Sequence, residues 1–146
     1  MKINIKTIDE SKHRYPTLGD YFKKDKDVLQ VNITDLGNKD YEFLILIHEL
    51  VEWHLTENRG IKEENIMKFD IQFEKERKRG IHNNEVEPGD AIDSPYRKEH
   101  RFAENIERIL AHELGIDFND YSKHLLNFIE SKIKKFPDKI NDKIGK

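Results

Sequence analysis

Tyr41-Glu42-Phe43-Leu44-Ile45-Leu46-Ile47-His48-Glu49-Leu50-Val51-Glu52-Trp53-His54-Leu55 is the stretch on which the reading of this chain turns. Projected at about 100° per residue, its apolar side chains sweep roughly two-thirds of a helical circumference. The narrow remaining sector holds His48, Glu49 and Glu52, with Tyr41, Glu42 and Ile45 beside them. A helix this apolar is wrapped by the rest of its fold, so its polar strip is expected to face a cleft or a thin band of solvent. The helix is predicted from about Lys39 to Glu57, stopping before Gly60.

His48 and Glu52 stand four positions apart and emerge from one face, one turn from each other. That spacing suits two ligands of one metal ion, an imidazole nitrogen and a carboxylate oxygen each about 2.0–2.2 Å from zinc. Glu49 is turned aside by about a quarter circle. It is placed to take a proton from water activated by the metal without binding the metal itself, the position a general base needs. The competing reading is an i,i+4 pair on an exposed helix face. His54 projects between Phe43 and Ile47 and is expected to be a buried histidine bonded to backbone, not a ligand.

Upstream, the chain reads as β. Ile3, Ile5 and Ile8 suggest a half-buried strand, Tyr15 to Phe22 a turn-rich connection with aromatic anchors, and Asp27 to Ile33 a second strand. Downstream, Glu63 to Arg79 is a second helix with Ile66, Phe69 and Phe73 on one stripe. Gly80 through Asp93 is a polar loop. Ser94-Pro95 supplies a cap and a first-turn proline for a third helix, with Phe102, Ala103, Ile106, Ile109, Leu110 and Leu114 predicted inward. A fourth helix, from about Asn119 to Lys134, places Tyr121, Leu125, Phe128 and Ile129 inward. Pro137 closes it, and residues 137–146 are expected to fray. The prediction is one α+β domain over residues 1–146, a small N-terminal antiparallel sheet packed on three to four helices.

Two further side chains are candidate metal ligands. Asp70 lies within the apolar stripe of the second helix, where an acid is costly unless paired or coordinated. A lysine or arginine partner is the alternative. His100 sits at the edge of the third helix's stripe, as a ligand or as a surface histidine. Glu99 is held in reserve, since an acid in the first turn of a helix is favoured by the macrodipole alone. The preferred set is His48, Glu52, His100 and Asp70 as ligands with Glu49 as base. His112-Glu113-Leu114 repeats the motif's letters near a helix end and is read as coincidence; His13, His82 and His124 have no partner pattern. Glu85, Glu87, Asp90 and Asp93 read as an ordinary polar loop, and Lys75 to Arg79 as a solvated helix end.

His48-Glu49-x-x-Glu52 resembles the H-E-x-x-H helix of zincin metallopeptidases, with glutamate in place of the second histidine. The order of elements is also similar: strands, the active-site helix, then a helix able to give a third ligand. Glu99-His100 echoes the end of the inverted H-x-x-E-H motif, with Tyr96 where its first histidine would stand. More loosely, HELVE, the Glu87–Asp90 loop and the Ser94–Ala103 segment together resemble small phage-type proteins. The zincin resemblance implies a minimal-zincin-like arrangement and a metal-dependent hydrolase, with a peptide or protein as candidate substrate docked by strand addition along Val28–Ile33. The missing histidine blocks a direct carry-over of peptidase activity.

Zinc is the first expectation for the cofactor; a carboxylate-richer site suits iron or manganese. A carboxylate-bridged iron or manganese protein is thus one alternative function. A non-catalytic phage or bacterial accessory protein, with a structural metal or none, is another.

Composition bounds the rest. The 146 residues contain no cysteine, which excludes disulfides, thiolate zinc sites and thiol nucleophiles. The 26 basic and 29 acidic residues nearly cancel to −3, giving no one-sided basic excess for nucleic acid. No apolar run approaches the roughly twenty residues needed to span a bilayer, and Met1 to Lys6 has no apolar signal core. A cytoplasmic location, in a bacterial host cell or encoded by a phage, is expected. No P-loop, dinucleotide-binding glycine pattern or nucleophile elbow is present.

Overall fold

Three strands precede the first helix in the computed structural model, which describes residues 1–135; the tail 137–146 lies outside the described residues. Strands β1 (Lys2–Ile8), β2 (Gly19–Asp25) and β3 (Val28–Thr34) form one sheet in the order β1-β3-β2. Leu29, Val31 and Ile33 alternate along β3 and are almost fully buried, so β3 takes the centre. β2 covers part of the stretch expected to be a turn-rich connection; it is a strand that folds back on β3 as an antiparallel hairpin, with Tyr21 opposite Val31. β1 pairs parallel to β3, Ile3 opposite Leu29 and Ile5 opposite Val31, so the sheet is mixed. β3 therefore has an antiparallel neighbour on one side and a parallel one on the other. Ile3 and Ile5 share the inner face with Leu29 and Val31 yet stay 39% and 49% exposed, because the first helix packs on β2 and β3.

Helix α1 (Lys39–Asn58) starts at Asn38, whose side-chain oxygen accepts the amides of Asp40 and Tyr41, a standard N-cap. Its buried residues are Leu44, Ile45, His48, Glu52 and Thr56, so the polar strip is itself the inward face. Part of the apolar arc looks outward: Phe43 is exposed, and so is His54, which is therefore no buried histidine. The core combines Leu18, Tyr21, Leu29, Val31, Ile33, Leu44 and Ile45 with Ala111 and Tyr121 from later helices.

Helices α2 (Glu63–Lys78), α3 (Arg97–Glu113) and α4 (Phe118–Lys135) lie close to their predicted bounds. α3 is turned differently from its apolar stripe. It buries Glu99, His100, Ala103, Glu107 and Ala111, while Phe102 and Ile109 are more than half exposed. Ala103 and Ala111, fully buried, lie on the same face as His100 and Glu107 and leave room for α3 to pack closely on α1. Pro95 lies ahead of the helix rather than in its first turn, and Ser94 Oγ accepts only a long 3.4 Å bond from the Tyr96 amide. Among the described residues no helix is long and apolar enough to cross a membrane.

Arg77, expected in a solvated helix end, is buried. Its guanidinium grips Glu74 with two bonds (3.0 and 3.2 Å) and donates to the carbonyls of Asn83, Asn84 and Val86. One side chain thus folds the loop that leads to Glu87. Arg77→Met keeps the apolar stem but strands the buried Glu74 carboxylate and the carbonyls, and is expected to cost about 3–5 kcal/mol. Urea unfolding measures this; a loss below about 0.5 kcal/mol would match an ordinary surface position.

Candidate metal centre

The strip on α1 and the inward face of α3 bring three ligand atoms into a tight triangle. His48 Nε2 lies 3.1 Å from Glu52 Oε2 and 3.2 Å from His100 Nδ1, and His100 Nδ1 lies 2.9 Å from the same Glu52 oxygen. All three residues are buried. Ligands about 2.1 Å from one ion stand about 3.0–3.4 Å apart, from octahedral to tetrahedral angles. The triangle matches the face of such a polyhedron, and two imidazoles with one carboxylate are a donor set that fits zinc.

Two of the three residues, His48 and Glu52, are oriented from behind. His48 Nδ1 donates to Glu107 Oε1 at 2.9 Å, and Tyr121 Oη donates to the other Glu107 oxygen at 2.5 Å. Tyr21 Oη donates to Glu52 Oε1 at 3.0 Å, leaving Oε2 for the triangle. A carboxylate on the far nitrogen of a ligating histidine fixes the ring and raises its basicity. Burial alone lowers the His48 pKa, but the bonds and charges of Glu107 and Glu52 outweigh it and hold it well above the ordinary value. For His100 burial again opposes, and Asp90, Glu52 and Glu87 raise it. Burial alone raises the Glu52 carboxyl, yet hydrogen bonds from His100 and His48 and their charge pull it down to about 2. An ion entering the triangle therefore replaces protons that the imidazoles hold tightly.

The triangle opens on a cavity of about 530 Å³ whose wall includes Tyr15, Asp20, Glu49, Asp70 and Tyr96. Glu49 is half-buried and stands apart from the triangle, in the wall as its helical angle predicts. Burial raises its carboxyl well above the usual range, the charges of Glu52 and Asp20 add to this, and His48 opposes. A carboxyl shifted in this direction is a stronger base than an ordinary carboxylate. Asp70 faces the same cavity but outside the triangle; its Oδ1 accepts the Tyr96 hydroxyl at 2.7 Å. Burial, with Glu52's charge, pushes its pKa up against that bond. Glu99 is engaged elsewhere, 3.0 Å from the Arg59 guanidinium.

Two glycines shape the site by close approach. A Cβ on Gly19, at the start of β2, would lie 2.7 Å from Glu49 Oε1. A Cβ on Gly89 would run into the His100 ring. Gly89→Ala is expected to push the buried ring out of the triangle, lowering zinc affinity at least tenfold and costing about 1–3 kcal/mol of stability. Zinc titration of the variant checks this, and wild-type affinity would show that the loop yields instead of the ring.

Glu107, Tyr21, Tyr121 and the two glycines were not expected at the site; Tyr121 was expected only as an inward packing residue. Only Glu107 left a signal in the sequence, seven residues after His100 and so on the same helical face. The loop read as ordinary reaches the site: Glu87 Oε2 and Asp90 Oδ2 approach His100 Nε2 at 2.9 and 3.8 Å. Other histidines have structural partners. His13 bonds the Thr34 hydroxyl, and His82 stacks on Phe73 and pairs with Glu76. His112 is exposed. In comparisons with known proteins the chain matches no family model, and no curated protein and no solved structure shows significant similarity to it.

Proposed function

We propose that this chain is a metal-dependent hydrolase that holds one divalent ion, zinc by preference, on His48, Glu52 and His100, with Glu49 as general base. The single observation carrying the proposal is the buried triangle of ligand atoms opening on a cavity with a free-standing carboxyl in its wall. A divalent ion held there supplies Lewis acidity, which makes water easier to deprotonate and polarises a carbonyl. The residues do the rest. Glu49 accepts the proton of the attacking water and returns it to the leaving group; Glu107 and Tyr121 hold His48 in one tautomer; Tyr21 keeps Glu52 turned inward.

A carboxylate-bridged iron or manganese centre is less well supported, because Glu107 engages the far nitrogen of His48 and only Glu52 joins the imidazoles in the triangle. A peptide is the preferred substrate class. β3 is central and paired on both sides, so it cannot take an added strand. β2 is the outer strand on the cavity side, with Gly19, Asp20 and Tyr21 in the wall, and is the proposed docking edge.

Elemental analysis after purification and exhaustive dialysis is the test. About one tightly held equivalent of zinc is expected in the wild type, and none in His48→Ala. A wild-type protein that stays metal-free after zinc loading overturns the proposal.

A further inference from the structure

The ring of His100 has a second nitrogen that the triangle does not use. Nε2 is fully shielded from solvent and makes no hydrogen bond, although Glu87 Oε2 lies 2.9 Å away and Asp90 Oδ2 3.8 Å away. Near contact without hydrogen-bond alignment leaves room for both carboxylate oxygens and the ring nitrogen to turn towards one common centre. The loop is held rigidly enough for the arrangement to be specific: Arg77 binds the carbonyls just before Glu87, and Gly89 lies against the ring.

We propose that Glu87, Asp90 and His100 Nε2 form a second divalent-cation site, so that the His100 ring links two ions through its opposite nitrogens. The three donor atoms lie within 4.8 Å of one another. Two carboxylates and an imidazole suit zinc or manganese. The Glu87 side chain is 53% exposed and that of Asp90 34%, so water reaches the site and completes its coordination. Exposure also makes this site the weaker of the two, filled only when the ion is supplied in excess. A ring bound at both nitrogens is an imidazolate; its last N–H proton is released to solvent as the second ion binds. The linkage rests on the inner-site reading given above, whereas the outer ligands can be tested apart from it.

Equilibrium dialysis of the whole chain against zinc, with circular dichroism to verify folding, provides the test. The wild type is expected to take up two equivalents, the second at least tenfold more weakly. Glu87→Gln with Asp90→Asn, both on the accessible loop, should retain only the tight one. His48→Ala with Glu52→Gln should retain only the weak one; if that protein does not fold, the loop variant alone decides. A wild type that binds one equivalent, unchanged in the loop variant, overturns the second site and leaves the hydrolase proposal standing. One equivalent that is lost in the loop variant and kept in the inner variant overturns the inner site and the linked pair together. Loading with copper(II) tests the shared ring: a bridged pair is spin-coupled and loses most of its paramagnetic resonance intensity. Two coppers at full two-spin intensity overturn the bridge.

Discussion

Glu49→Gln is expected to lower kcat by about 10²–10⁴-fold while leaving zinc bound at wild-type stoichiometry. The separation of the two effects follows from geometry. Glu49 stands outside the triangle of His48, Glu52 and His100, so the amide removes no ligand. Gln is nearly isosteric and keeps the close packing of the side chain against Gly19. What it loses is the ability to accept a proton, in a cavity where burial and the charge of Glu52 have already raised the carboxyl's basicity. The measurement is turnover on a panel of peptides and chromogenic amides and esters, beside metal content on the same preparation. Undiminished turnover removes Glu49 from the role of base. Loss of zinc together with turnover would make Glu49 part of the metal's support.

The contrast between α1 and α3 shows what the sequence could and could not reveal. On α1 the apolar arc was so wide that the few polar residues stood out, and a spacing of four placed His48 and Glu52 together without any knowledge of the fold. On α3 the same reasoning turned the helix the wrong way. Phe102, Ile106 and Ile109 form a convincing apolar stripe, yet α3 buries His100 and Glu107 flanked by alanines. Periodicity counts a histidine or glutamate as a vote for solvent. It cannot register that these polar groups satisfy one another across a helix interface, His48 to Glu107 at 2.9 Å over 59 residues of sequence. Arg77 was misread for the same reason: its partners are carbonyls of a loop whose path the sequence does not disclose. β1 and β3 were readable from alternation, whereas β2 and the parallel pairing of β1 were not, because pairing partners are chosen by tertiary structure.

Zinc is expected to raise the melting temperature of the metal-free chain by about 8–16 °C when its free concentration is about a thousand times Kd. Binding to the native state alone contributes about 4 kcal/mol under those conditions, and a chain of this size gains about 2–4 °C per kcal/mol. The sign is set by where the ligands come from. His48 and Glu52 share one helix turn, but His100 is brought to them from α3 by folding, so the unfolded chain offers no comparable site. Glu107→Gln supplies the discriminating control. It keeps the volume of the side chain beneath His48 and a neutral acceptor for its Nδ1 proton, but removes the charge that raises the ring's basicity. Loss of such an orienting carboxylate weakens metal binding about 10–100-fold. At the same zinc concentration the stabilisation should then shrink by about 1.4–2.7 kcal/mol, or roughly 3–10 °C. Differential scanning calorimetry with and without chelator reads both effects. If the chelator leaves the wild-type transition unmoved, the imidazoles and carboxylate on α1 and α3 form a hydrogen-bonded brace between helices, and the hydrolytic proposal fails with the metal that it requires.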